Sequence, residues 1–202
     1  SNNLIDGIYS NEWRLFKDNV TWLKDLLSKI SKIKNVNWLI KSHPFDESNK
    51  KKVSTESVVR KYIKDFSHIQ FINDKATISR TIHNVCDVAI THHGSVAVEY
   101  PSIGIPCIIA PGDAFCSGHG FTIEPKTIDE YYRYLENISQ IKLLDEKTIY
   151  KAKLFFVIYK NFSNEKFKLF NEKRENDDNF WLQLSKNLES FDFEQDLFFD
   201  FF

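Results

Sequence analysis

Three short stretches of this chain hold residues whose types and spacing suit chemistry. The first is His43-Pro44, which follows the apolar run NWLI at residues 37–40. An imidazole titrates near neutral pH, and the proline fixes the backbone behind it, so His43 suits contact with a phosphate or donation of a proton. A strand-end histidine bonded to a loop carbonyl is the equal alternative. The second stretch, residues 91–99 (THHGSVAVE), reads as a strand entering a turn at Gly94 and then a helix that starts near Ser95. Free backbone amides and the positive end of the helix dipole meet at such a junction, which favours an anion. Gly94 would let the main chain approach a diphosphate closely, and the Ser95 hydroxyl could donate to it. Glu99 lies one turn later on the same face, where a carboxylate can accept from ribose hydroxyls. The plainer alternative makes Ser95 an N-cap and Glu99 a solvated helix residue. The third stretch, residues 112–120 (GDAFCSGHG), is a glycine-rich loop carrying Asp113, Ser117, Gly118 and His119. It has no Walker lysine, so it is no P-loop. It suits a loop that closes over a sugar, or an ordinary surface crossover.

Two other chemistries fit less well. Six histidines with Asp113 and Cys116 invite a zinc site, yet no C-x-x-C or H-x-x-x-H pair occurs. The adjacent His92 and His93 are expected to point apart, so no metal ligand set is assigned. A Ser/His/Asp hydrolase wants G-x-S-x-G, and Ser95 lacks the second glycine. Cys86 and Cys107 sit in apolar context and read as core.

The elements that must position these residues follow from periodicity. Apolar side chains at Trp13, Phe16, Val20, Leu23, Leu26, Leu27, Ile30 and Ile33 predict an amphipathic helix within residues 11–34. Residues 37–40 and 68–72 predict strands, and the polar stretch 46–65 predicts a loop running into a helix. Residues 77–85 predict a short helix, 87–91 a strand, and 95–103 a second helix stopped by Gly104. Residues 105–110 predict the next strand and 120–124 a further one, with a helix from Thr127 to Leu135 and helical pattern beyond 145. Strands that are nearly all apolar and alternate with helices predict an α/β fold. Its parallel sheet is expected to be covered by helices on both faces, with a C-terminal helical extension. The expected divisions are an N-terminal helix or connection at 1–35, a Rossmann-like domain at 36–145 and the extension at 146–202.

Composition bounds the rest. The chain has 202 residues, 42% hydrophobic, with 27 basic and 28 acidic residues and a formal charge of −1. Such a balance supports a core and predicts no nucleic acid as a bulk electrostatic partner. Three cysteines without paired spacing predict reduced thiols in a cytosolic setting. No secretory signal opens the chain and its apolar runs are too short to cross a bilayer. The expected location is cytoplasmic, with a peripheral place at the inner face of the membrane left open. Methionine is absent everywhere, including position 1, which predicts an excised piece of a longer protein. The tail, residues 170–202, is charged and then aromatic and acidic, which suits packing better than anionic lipid.

The order strand-KSHP, DVAITHHGSVAVEY, GIPCIIAPG, GFTIEP and helix resembles the C-terminal domain of GT-B glycosyltransferases. Within them it is similar to bacterial capsule and surface-polysaccharide enzymes. These include the capsule Kdo-transferase-like proteins, the polysialyltransferases with their His-Pro motif and, more distantly, the teichoic-acid polyol-phosphate transferases. The resemblance covers residues 36–136, and S-x-x-x-E-x-x-x-x-G-x-P, from Ser95 to Pro106, is its most specific part. It implies that His43 contacts the donor phosphates or assists departure of the nucleotide. It implies that Gly94 and Ser95, with His93, bind the donor phosphates, that Glu99 holds the ribose, and that the loop with Ser117 and Gly118 faces the donor sugar. It further implies a nucleotide-sugar donor, no metal or other cofactor, a glycan or lipid-linked acceptor, and a catalytic base on a separate N-terminal domain. A CDP-polyol phosphotransferase and a non-catalytic Rossmann-like scaffold remain the alternatives.

Overall fold

The computed structural model of the chain describes residues 16–42, 54–63, 66–72, 83–110 and 114–164. Helix α1 spans Asn19–Ile30 and begins where Asp18 accepts the amide of Thr21, a side-chain cap that replaces a missing intrahelical partner. That bond also holds the Asp18 carboxyl below its usual range. The apolar face expected from the sequence is the buried one, with Leu23, Leu26, Leu27 and Ile30 inside. Trp22, outside that series, is buried too.

Strand β1 (Trp38–Lys41) pairs in parallel with β2 (Ile69–Ile72), and α2 (Thr55–Tyr62) links them. Ser54 and Ser57 cap α2 reciprocally, each hydroxyl taking the other's amide. A 3-10 turn at His83–Val85 precedes β3 (Ala89–Thr91). Residues 77–82 of the expected helix lie outside the described residues. From β3 the chain enters α3 (Val96–Glu99), a 3-10 turn at Pro101–Ile103 and then β4 (Cys107–Ile109), which pairs in parallel with β3. The helix expected at 95–103 is thus two pieces. Pro101 has no amide to donate into the helical ladder, so the continuous helix stops at one turn. Gly104 ends the segment at φ 97, the left-handed conformation that favours glycine.

The strand expected at 120–124 is reduced to one parallel bridge between Ile108 and Ile123. Gly120 is left-handed at φ 72 and Pro125 has no amide, so extended pairing is limited on both sides. Helix α4 (Ile128–Glu136) follows, capped by Thr127, and α5 spans Glu146–Asn164. The result is an α/β fold which, among the described residues, has five α-helices and two two-stranded parallel sheets instead of one continuous sheet.

Every residue of β4 is buried, but successive side chains join different cores. Ile108 and Ala110 join a core built from α1, β1, α2, β2 and α4. Cys107 and Ile109 join a second core with α3, Phe121 and the start of α5. The β3–β4 pair is therefore covered on both faces, as near-continuous apolar strands require. The chain divides into two compact units, Ser1–Phe156 and Val157–Phe202. That division falls inside α5, and both cores belong to the first unit.

Candidate functional site

The turn at the carboxyl end of β3 is closed by Thr91. This residue is fully buried, its carbonyl accepts the amide of Ala110 at 2.8 Å, and its hydroxyl accepts the amide of Gly94 at 3.1 Å. One residue, through its carbonyl and its hydroxyl, thus fixes the turn to the strand pair. His92 is buried behind it, 2% exposed, with its ring 5.5 Å from Trp22 and 4.6 Å from His93. The two histidines do not point apart. They sit in a turn and not in a strand, so the side-chain alternation of a strand does not apply. Their rings meet edge to face instead.

Below His92, the Trp22 indole donates to the Tyr131 hydroxyl at 3.0 Å, joining α1 to α4. Burial pushes the Tyr131 hydroxyl upward from its ordinary value. Next to it Tyr132 donates to Asp25 at 2.8 Å, and desolvation with the nearby carboxylate pushes Tyr132 up to about 12. Trp22 and Tyr131 support the turn from beneath. Sequence reasoning missed them, although Trp22 stands four residues before Leu26, a spacing that shares a helix face.

Of the candidate residues, His93, Gly94, Ser95 and Glu99 lie together on this turn and on α3. Ser95 occupies the N-cap position with helical dihedrals, φ −56 and ψ −19, and makes no capping bond. It is exposed. Glu99 is half-buried, its amide bonded to the Ser95 carbonyl at 2.9 Å, so the two side chains are one turn apart. Gly94 is not among the glycines with positive φ, so its role there is the absence of a Cβ and not an unusual backbone. With only four residues, α3 supplies a few local amides to a ligand and little cumulative dipole. His43 and Asp113 lie outside the described residues.

Ser117 and Gly118 are tied into their own loop. The Ser117 hydroxyl accepts the Ala114 amide at 2.9 Å. The Gly118 amide donates to both oxygens of Glu124, at 3.0 and 3.1 Å, and the Thr122 hydroxyl reaches the same carboxylate at 2.8 Å. Lys126 stands 3.7 Å from it. Glu124, which sequence reasoning also missed, therefore holds the loop shut with a carboxylate, and a fixed negative charge there disfavours a second anion. The loop still shares the second core with α3 through Cys116 and Phe121. His119 is exposed, stacks on Phe121 and meets the Phe155 ring at a tilt.

The three cysteines are free thiols. Burial pushes Cys116 up to about 12 and raises Cys86 and Cys107, so all three are neutral thiols near pH 7 and poor nucleophiles. Among the described residues no three His, Cys, Asp or Glu side chains converge as a metal site. A cavity of about 530 Å³ lies at the opposite, amino ends of β3 and β4, between residues such as Asp87, Ile105 and Leu144. Comparison with family models, with curated proteins and with solved structures returns no match for this chain.

Proposed function

We propose that the chain is the donor-binding part of a nucleotide-sugar-dependent glycosyltransferase of the GT-B type. Its place is the synthesis of capsular or other surface polysaccharide at the cytoplasmic side of the membrane. In this reading the two short parallel sheets are parts of one Rossmann-like sheet. The observation that carries the reading is the turn after β3: a buried Thr91 closing it, Gly94 without a side chain, Ser95 exposed at the helix start, and Glu99 one turn on. Ligands of parallel α/β sheets bind beyond the carboxyl ends of strands, where this turn lies.

In the proposed reaction an acceptor hydroxyl attacks the anomeric carbon of the donor. The bond from that carbon to the phosphate oxygen breaks, and the nucleotide leaves with the electron pair. The Ser95 hydroxyl and the amides at the start of α3 stabilise the charge gathering on the phosphate, and His43 donates toward the leaving oxygen. Glu99 accepts from the ribose. The phosphate contacts rest on residues 93–95. The Ser117 hydroxyl and Gly118 amide, already engaged within their loop, shape its sugar-facing side. The acceptor is a glycan or lipid-linked glycan, and the base that activates it comes from a separate N-terminal domain.

Titration of the chain with CMP, CDP, UDP and GDP, followed by NMR shifts and calorimetry, tests the reading. One nucleotide is expected to bind selectively, with shifts centred on residues 93–99. Ser95→Ala and Glu99→Gln are each expected to weaken binding roughly 10- to 150-fold, the range for loss of one hydrogen bond to a charged group. Selective binding of CDP-ribitol or CDP-glycerol in preference to nucleotide sugars would replace sugar transfer by polyol-phosphate transfer. No binding at millimolar concentration by the folded chain joined to its N-terminal domain would overturn the reading.

A further inference from the structure

Glu124 reaches the same end of the strands as the β3 turn, from the other side of β4. Pro106 and Ala110 exchange backbone bonds with β3, whereas Cys107 and Ile109 bond Ile123. Ile123 therefore lies along the edge of β4 away from β3, in parallel bridge with Ile108. Thr91 pairs with Ile109, so Glu124, one residue past Ile123, stands level with Thr91 and two strand spacings away, roughly 10 Å. Its side chain is 15% exposed. The groups that hold it are all donors: the Gly118 amide, the Thr122 hydroxyl and, across 3.7 Å, the Lys126 ammonium. A carboxylate offers about four lone-pair directions. One amide shared between both oxygens, with one hydroxyl, leaves capacity for a further donor.

We infer that Glu124 restricts the donor to a sugar without a carboxylate, one whose hydroxyl donates to the free side of Glu124. The inference rests on the donor-binding reading, in which the phosphates lie on residues 93–95 and the sugar faces the loop of Ser117 and Gly118. A uronic, sialic or other ulosonic acid would bring a second carboxylate beside the first. Like charges at close range repel, and Glu124 cannot swing aside without losing its bonds to Gly118 and Thr122. Lys126 does not lift the conflict. Its side chain is 75% exposed and already set against Glu124, and one solvent-screened ammonium does not offset two carboxylates. A neutral sugar meets no such cost. Its hydroxyl finds a charged acceptor with capacity to spare, so the group that rejects the acid also favours the neutral donor.

Calorimetry on the full chain with matched donors tests it: UDP-glucose against UDP-glucuronate, GDP-mannose against GDP-mannuronate, and CMP-N-acetylneuraminate against its methyl ester. The members of each pair share nucleotide and ring and differ in the sugar carboxylate. For the nucleotide that the chain binds, the neutral member is expected to bind at least about tenfold more tightly. Glu124→Gln keeps the shape and one acceptor, and is expected to bring the two within about threefold while affinity for the bare nucleotide stays unchanged. The wild-type ratio needs no variant, so it decides even if the substitution alters the loop. Equal or tighter binding of the carboxylated member overturns the inference, and would give its carboxylate to an exposed ammonium, Lys126 or the Lys151 beside Gly120. A wild-type preference that survives Glu124→Gln undiminished also overturns it. Either result, with the bare nucleotide bound, leaves the donor-binding reading standing. Failure of every bare nucleotide to bind, alone or with the N-terminal domain joined, overturns both.

Discussion

Beneath the candidate turn, Trp22 and Tyr131 share one buried hydrogen bond between two helices, and His92 rests on the same indole. Both partners are removed from water, so losing one leaves the other with its desolvation cost and no acceptor. Tyr131→Phe is therefore expected to destabilise the fold by about 1–3 kcal/mol, with the urea m-value unchanged. Urea denaturation followed by circular dichroism measures this. A loss under about 0.5 kcal/mol would mean that the indole finds another acceptor and that the bond does not anchor the turn. The same residue scale shows what residue types leave out. Ser117 and Gly118 have the right types for a loop that faces a sugar, but types do not reveal prior commitments. Their hydroxyl and amide are already engaged by Ala114 and Glu124. A carboxylate six residues from Gly118 leaves no periodic trace in the sequence.

Among the elements, the segment from α3 to Gly104 is the one most dependent on local chemistry. Gly104 has φ 97, and a Cβ there would lie 3.2 Å from the Ile149 side chain. Gly118 has φ 83 with nothing within 4 Å of the same atom. A left-handed backbone costs a non-glycine residue roughly 1–2 kcal/mol. Gly118→Ala is expected to cost about that much, and Gly104→Ala more, because Ile149 must also shift. Chemical denaturation of the two variants gives the ranking, and equal losses would show that Ile149 yields freely. Most of this element layer was legible. Apolar spacing placed α1, alternation of strands and helices placed β1 to β4, and Gly104 marked its own stop. The illegible parts have plain causes. Pro101 divided a helix that apolar spacing alone made continuous, and left-handed Gly120 with Pro125 curtailed a strand that composition permitted. The turn at 91–95 was readable as a junction, yet its buried support came from α1 and α4, distant in sequence, and no local pattern announces such a contact.

For the whole molecule, the two cores of the first unit meet at β4, where neighbouring residues belong to different sides. Ile108 and Ile109 are both fully buried, and each fills a different core. Ile108→Ala and Ile109→Ala are each expected to cost about 2–5 kcal/mol, since either opens a cavity in close-packed surroundings. Because one strand carries both, the first unit is expected to unfold in a single transition in either variant, with tryptophan fluorescence and circular dichroism coinciding. Separated transitions would show that the cores are independent. The alternation also constrains how this strand can change over generations. A substitution in β4 disturbs one side, and the other side remains to compensate. An insertion or deletion of a single residue would send each buried side chain to the wrong side at once. It would also move Thr91's partner Ala110 out of step with the turn it helps to fix. The strand can therefore tolerate drift in composition far more readily than any change in length.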